Sequence, residues 1–316
     1  MRLKMKDSGY ERVYICVDDT DDLTKDTSTG AIADEIARRI SERFGCTVNM
    51  GITRHQLLLD DRIPYTSHNS SMCFDIVLPS GSLPETDEIG WEVIHSMRAA
   101  SANPGLCILA TQPGKSYDRI VEFGERAKTD LIVLEEARKT AREFPEMMLE
   151  SEGTTGQGMI GALAGVGLRI TGNDGRFRGK YDLSLASKGE ACTVERFLEG
   201  FLKKYGLEPV LIDQKGISPE AQDIVYPVRE AKAVLRSGHM AFLCDRDEKG
   251  IWKPYTKDEF NKKRKKREAC ESFVLDPDKE ERFHEKKQRT CGSCLYRRLI
   301  ADGYICMAGK QLSSQE

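Results

Sequence analysis

No stretch of this 316-residue chain reaches the ~18 consecutive apolar residues of a membrane-spanning helix, so none is expected. The amino end, Met1-Arg2-Leu3-Lys4-Met5-Lys6-Asp7, lacks the apolar core of a secretory signal peptide. Charge of one sign is also missing. The net charge is −3, so no global field draws the chain to nucleic acid or to an anionic membrane. There is no internal repeat. Of the ten cysteines, Cys16, Cys73, Cys107 and Cys244 sit inside apolar runs and read as small buried hydrophobes. The expected setting is the reducing cytoplasm. With 39% hydrophobic and 31% charged residues the chain can build an ordinary core. Its length leaves room for two domains of ~100–200 residues.

What is present begins with acid. The apolar run Val13-Tyr14-Ile15-Cys16-Val17 empties into Asp18-Asp19-Thr20-Asp21-Asp22, four carboxylates in five residues. A buried strand ending this way suits a hard cation such as Mg²⁺, which takes oxygen ligands and joins one or two carboxylates to substrate phosphates. The carboxyl end of a strand in an α/β sheet is also where ligands sit. Hydroxyls follow in Thr24, Thr27, Ser28 and Thr29, then a helix over 29–44 with Ala31, Ile32, Ile36, Ala37 and Ile40 at helical spacing. A solvated acidic turn that caps this helix is the other reading of the same residues.

Further strands are expected over 46–53, 72–78 and 106–110, a second helix over 87–100, and one or two charged helices over 117–143. Alternation of strands and helices across the first 150 residues argues for an α/β layer domain. The stretch 143–152 reads as helix or loop. A Gly-rich segment, 153–167, then opens a second unit with a strand-like Leu168-Arg169-Ile170, a helix over 193–205 and a strand over 209–212. After Gly238 the texture becomes strongly charged, with the basic block Lys262-Lys263-Arg264-Lys265-Lys266-Arg267.

Gly156-Gln157-Gly158-Met159-Ile160-Gly161 matches G-x-G-x-x-G, but no strand is evident before it, as a dinucleotide fingerprint requires. Its glycines can let backbone N–H groups and a helix start approach a phosphate, or can simply permit close helix packing. In the polar loop 63–71, His68 titrates near neutrality and can serve as acid or base, while Asn69 can hold a substrate. Arg54 and His55 lie just upstream, and Asn103-Pro104-Gly105 marks a tight turn. Cys291-Gly292-Ser293-Cys294 is one C-x-x-C element without a second. With Cys270 and Cys306, or with His284 as a substitute, it can form a zinc or iron–sulfur site, or hold free thiols. The basic block is a solvated helix face or a phosphate contact.

Taken in order, Asp18-Asp19-Thr20-Asp21, Ile63-Pro64-Tyr65, Asn103-Pro104-Gly105 and the run Gly156-Gln157-Gly158-Met159-Ile160-Gly161-Ala162-Leu163-Ala164-Gly165-Val166-Gly167 resemble the archaeal tRNA 2-agmatinylcytidine synthetase (TiaS) family. That family attaches agmatine to the wobble cytidine of an isoleucine tRNA using ATP. The resemblance spans residues 12–185. It implies a kinase-like domain and a ferredoxin-like domain with ATP and Mg²⁺ between them. The family's acidic motif serves the metal and the phosphates, and Ser28 falls at the place of a threonine that becomes phosphorylated there. The chain departs from the family at Ser67-His68-Asn69-Ser70-Ser71, where the family's loop is basic and contains glycine. It is also too short for full copies of the family's OB-fold and zinc ribbon.

The expected fold is α/β plus α+β: a kinase-like α/β domain over 1–150, a ferredoxin-like α+β domain over 151–244, and a charged cysteine-containing segment over 245–316. The expected activity is that of an ATP- and Mg²⁺-dependent ligase or phosphotransferase. It would activate an oxygen for attack by an amine such as agmatine, with tRNA as a candidate acceptor. Asp18, Asp19 and Asp21 would hold Mg²⁺, and with Ser28, His68 and Asn69 form the catalytic set. Thr20, Thr29, Arg54, Gly156, Gly158 and Gly161 would bind the nucleotide, with Lys25 as another charge partner. Cys270, Cys291, Cys294 and Cys306 would take zinc or an iron–sulfur cluster. The rival reading is a non-catalytic nucleic-acid-binding or regulatory protein that uses the cysteine element and basic block.

Overall fold

In a computed structural model of the chain, the apolar run before the acidic turn becomes strand β1 (Tyr10–Asp18). The described residues are 9–22, 27–60, 62–63, 69–184, 189–213, 215–263, 297–300 and 303–306. They divide into two units, Met1–Thr171 and Gly172–Glu316. The first holds β1, α1 (Thr29–Phe44), β2 (Val48–Gln56), β3 (Ser70–Pro79), α2 (Leu83–Met97), β4 (Gly105–Thr111), α3 (Asp118–Arg126), α4 (Leu134–Arg142), β5 (Met147–Ser151) and α5 (Gln157–Ile170). Within this unit the strand order is β5-β4-β1-β3-β2, and every neighbouring pair is antiparallel. The fold is mixed α/β. Helices cover both sheet faces, although the strands do not run in parallel.

The two faces follow from alternation along the strands. Val13, Ile15 and Val17 of β1, with Phe74, Ile76 and Ile108, pack on Ile32, Ile36 and Ile40 of α1 and on Val93 and Ile94 of α2. The three isoleucines recur every fourth residue, which places them on one helical stripe. Burying each contributes roughly 1.5–3 kcal/mol. Helix α1 is bounded as its sequence dictates: Ser28 Oγ accepts from the Ala31 N–H, and Gly45 closes the carboxyl end with φ 65°.

The other face belongs to α5. Register sets Cys73, Cys16 and Cys107 abreast on β3, β1 and β4. Gly165 of α5 lies directly over Cys16, where a Cβ would overlap the thiol. Every residue of α5 from Gly158 to Arg169 is buried. Because α5 lies against β1, β3 and β4, it belongs to the first unit, and the division falls after Thr171 rather than at 150. Leu168-Arg169-Ile170 is its last turn, not a strand. The stretch read as helix or loop contains β5, which pairs with β4.

The second unit holds β6 (Arg176–Phe177), β7 (Cys192–Thr193), α6 (Val194–Tyr205), β8 (Val210–Asp213), β9 (Ile224–Val225), β10 (Ala233–Arg236), β11 (His239–Arg246), β12 (Trp252–Pro254) and α7 (Lys257–Lys263). Its strand order is β6-β10-β11-β12-β9-β7, with β8 parallel to β11. Ser237 and Gly238, with φ 49° and 74°, turn β10 into β11, as a two-residue hairpin requires. Phe201 and Tyr205 of α6 pack with Tyr181 and Phe242. Two further strands, β13 (Arg297–Ile300) and β14 (Gly303–Cys306), pair as an antiparallel hairpin. No helix among the described residues is long and apolar enough to cross a membrane.

Candidate functional site

The acidic turn, the 103–105 turn and the amino end of α5 meet at one end of the first unit's sheet. Asp18 is the last residue of β1 and lies opposite Gly105 of β4. Its side chain points to the α5 face and is 7% exposed. Gly161 makes room for it, since a Cβ at Gly161 would overlap Asp18 Oδ2. One turn earlier, Gly158 meets Asn103, Pro104 and Gly105 backbone to backbone. Glycine is required at both positions because the neighbouring groups leave no volume for a side chain.

Asn103 ties these parts together. Its Oδ1 accepts from the N–H groups of Thr154 (2.7 Å) and Thr155 (3.3 Å). Its own backbone N–H donates to the Asp19 carboxylate. The Glu152 N–H donates to the Pro104 carbonyl at 3.0 Å. Gly156 then caps α5 in a left-handed conformation, φ 68°, with Leu134 packed where a side chain would go.

Charge is concentrated here. Burial, then the charge of Asp19, holds the Asp18 carboxyl well above the usual carboxylate range. Burial, then the charge of Asp21, raises Asp19 to about 6. Asp19 sits in the left-handed region at φ 51°, which few residues besides glycine, asparagine and aspartate adopt. Thr20 is fully buried, and its Oγ1 has no hydrogen-bond partner among the described residues. Its carbonyl accepts from the Ala99 N–H, and Asp22 Oδ2 accepts from Ser101 Oγ at 2.5 Å, so the 99–103 segment lines the acidic turn.

The three expected Mg²⁺ ligands do not form a ready cage. Among the described residues no group of three or more His, Cys, Asp or Glu is arranged to hold a metal ion. Asp21 Oδ2 accepts from the Thr29 N–H at 3.1 Å, at the start of α1. Asp18 and Asp19 remain as a crowded pair. That donor set fits Mg²⁺, which is usually held by one or two carboxylates together with substrate phosphates.

Other expected site residues lie elsewhere. Ser28 Oγ accepts from the Ala31 N–H, an N-cap role. Asn69 Nδ2 donates to the Leu58 carbonyl at 2.7 Å, and the Asn69 carbonyl accepts from the Leu57 N–H. Its amide closes the loop between β2 and β3. Arg54 is exposed on β2 opposite Met72, and so on the α1–α2 side of the sheet, the side away from Asp18. His55 is fully buried, its Nε2 2.7 Å from Thr53 Oγ1. Arg169 Nη1 donates to the same hydroxyl at 2.8 Å, and its Nη2 meets Asp75 Oδ1 at 2.8 Å. Thr24, Lys25, His68, Cys270, His284, Cys291 and Cys294 lie outside the described residues, as do 264–267 of the basic block; of Cys306 only the backbone is described. Asn103 was the residue hardest to anticipate in its linking role. Its one sequence signal is a place just before Pro-Gly at the mouth of a strand.

No family model matches the chain, and no curated protein matches it. Among solved structures it is similar to apo TiaS, an agmatidine synthetase acting on an isoleucine tRNA, at 23% identity and a TM-score of 0.40 over 49% of this chain and 35% of that one. It is similar to a tRNA fluorescent labeling enzyme at 19% identity and a TM-score of 0.43, covering 69% of this chain and 52% of that one. It is likewise similar to TiaS in complex with an isoleucine tRNA, AMPCPP and agmatine, at 19% identity and a TM-score of 0.40 over 70% of this chain and 53% of that one. The chain thus spans about a third to a half of the length of these structures.

Proposed function

We propose that the first unit binds a nucleoside triphosphate with Mg²⁺ beside Asp18 and Asp19 and uses it to activate an oxygen by phosphoryl transfer. The observation that carries this reading is the meeting of two carboxylates, the Asn103 turn and a glycine-lined helix start at one point. Like charges packed together raise each other's pKa values, and a cation arriving with phosphates would relieve that repulsion. When bound, Mg²⁺ would neutralise charge on the phosphates, the main requirement of such chemistry besides positioning.

The chain's own residues have distinct tasks in this reading. Asp18 and Asp19 hold the metal. Asp21 fixes the acidic turn to α1 through the Thr29 N–H. Backbone N–H groups at the start of α5 face the phosphates, favoured there by the helix dipole. Asn103 keeps Asp19 and the 154–155 backbone in register.

The finer reading follows the family resemblance. The activated oxygen belongs to a cytidine of a tRNA, the attacking group is an amine such as agmatine, and the reaction takes place in the cytoplasm. Cys270, Cys291, Cys294 and Cys306 hold zinc or an iron–sulfur cluster, which metal analysis of purified protein checks.

The direct test is Asp19→Asn. Mg²⁺ and ATP together are expected to stabilise the wild type by about 2.7 kcal/mol when ATP is at one hundred times its Kd. The variant should fold normally yet gain none of this. Equal gains in both proteins would remove Asp19 from the site, and no gain in either would remove the nucleotide.

A further inference from the structure

In the second unit, positive charge gathers around one half-buried lysine. Ala231 bridges to Tyr181 on one side and to Thr256 on the other, so residues 176–181, 230–232 and 256–257 are neighbours in space. Lys232 Nζ donates to the carbonyl of Gly179, the residue between Arg178 and Lys180. Lys180 Nζ lies 2.9 Å from Glu230 Oε1, and the Lys257 N–H donates to the Glu230 carbonyl at 2.9 Å. Arg176 stacks its guanidinium over the Phe260 ring, 4.9 Å from the centroid, which fixes its direction. Glu259, close by on α7, is turned to Lys253 and Thr256.

The electrostatic consequence falls on Lys232. Burial, then the charges of Lys257, Arg176, Arg178 and Lys180, lowers its pKa to about 8. Like charges drawn together on a fold repel one another and cost stability. Such a cluster is retained at least cost where an anion completes it.

We propose that Arg178, Lys180 and Lys232, flanked by Arg176 and Lys257, form a phosphate-binding site in the second unit. Guanidinium groups offer paired N–H donors that match phosphate oxygens, and lysines add compact point charges. The phosphate can be a diester of a polynucleotide or part of a small molecule, since both present the same oxygens. The site lies wholly within the second unit and does not rest on the nucleotide reading of the first.

The test uses the full chain in EDTA, which withholds Mg²⁺ from the first unit. Two probes are applied: a short labelled single-stranded RNA followed by fluorescence anisotropy, and inorganic pyrophosphate followed by calorimetry. The paired change Arg178→Gln with Lys180→Gln should weaken binding at least tenfold, while Lys203→Gln with Lys204→Gln on α6, also a loss of two charges, should not. For RNA, the slope of log affinity against log salt should fall by about 2. A response with RNA alone assigns the site to a polynucleotide, and a response with pyrophosphate assigns it to small phosphates. Equal binding by the wild type and the paired variant for both probes, or no binding by the wild type, overturns the proposal. Lys232→Met gives an independent check. It should melt no lower than the wild type in phosphate-free buffer and lose the stabilisation by whichever probe binds the wild type. Retained stabilisation counts against the site.

Discussion

The two faces of the first unit's sheet both carry an apolar layer on the same strands and differ in the polar groups they bury. Toward α1 and α2, fully buried Val13, Ile15, Val17, Phe74 and Ile108 make an apolar layer. Toward α5, the same strands present Cys16, Cys73 and Cys107, then Thr53, His55, Asp75 and finally Asp18. The first face is held by area removed from water, which is non-directional. The second has an apolar layer as well, with Leu109, Ile120, Phe123, Leu163, Val166 and Leu168 buried, and adds to it hydrogen bonds, the Asp75–Arg169 ion pair and glycines that admit close approach. Apolar burial on both faces thus supports the charged groups held on the α5 side.

Breaking this contrast should be most costly at the buried ion pair. Asp75→Ala leaves Arg169 buried without its carboxylate and is expected to destabilise by ~3–5 kcal/mol in urea unfolding. Adding Arg169→Met to that variant should restore most of the loss, because an apolar pair needs no partner charge. A single-variant loss below ~1 kcal/mol, by urea unfolding, would show that the α5 face tolerates substitution as the other does.

The next effect sharpens the comparison. Gly161→Ala pushes a methyl group onto Asp18 and should cost ~1–3 kcal/mol, with loss of the stabilisation by Mg²⁺ and ATP. Ile36→Val on the opposite face should cost a similar ~0.5–1.5 kcal/mol and leave that stabilisation intact. Thermal melts with and without ligand separate the two outcomes.

The smallest effect is one of pH. The Asp19 carboxyl is raised to about 6 in the fold, above its ordinary value of 3.8. The folded state therefore favours its protonated form. The associated stability is fully present below the unfolded value and is lost as pH rises through about 6. Asp87, also raised to about 6 by burial and the charge of Glu150, acts in the same direction. In metal-free buffer Asp19→Asn should flatten, without abolishing, the decline in melting temperature across this window. An unchanged slope would place Asp19 in a solvated setting.

Local features were legible and distant ones were not. The spacing of Ile32, Ile36 and Ile40 and the cap at Ser28 delimit α1 over the residues expected from sequence. The acidic turn was visible as a candidate site because its carboxylates are adjacent in the chain. Strand direction was not, since β1 pairs with β3 and β4 across long separations that periodicity does not encode. Strand β5 escaped notice because Met147-Met148-Leu149-Glu150-Ser151 is only partly buried and shows no clean alternation. In α5, glycine lowers helix propensity, yet a helix start near Met159 was expected at these glycines, and α5 begins at Gln157. The reason for those glycines lies far along the chain, in Asp18, Gly105 and Cys16. Likewise Arg54 was expected to share a pocket with the nearby 63–71 loop and to partner the phosphates, whereas alternation along β2 sends it to the face away from Asp18.

Where Gly105 and Gly158 touch, the gap between strand and helix is gauged by main chain on both sides. No rotamer can flex to absorb an error, and no smaller residue exists with which to compensate one. Changes elsewhere in the core can loosen or tighten packing, but they have no means of retuning this spacing. The distance from the acidic turn to the first amides of α5 is thereby a built-in ruler, set once for whatever occupies it.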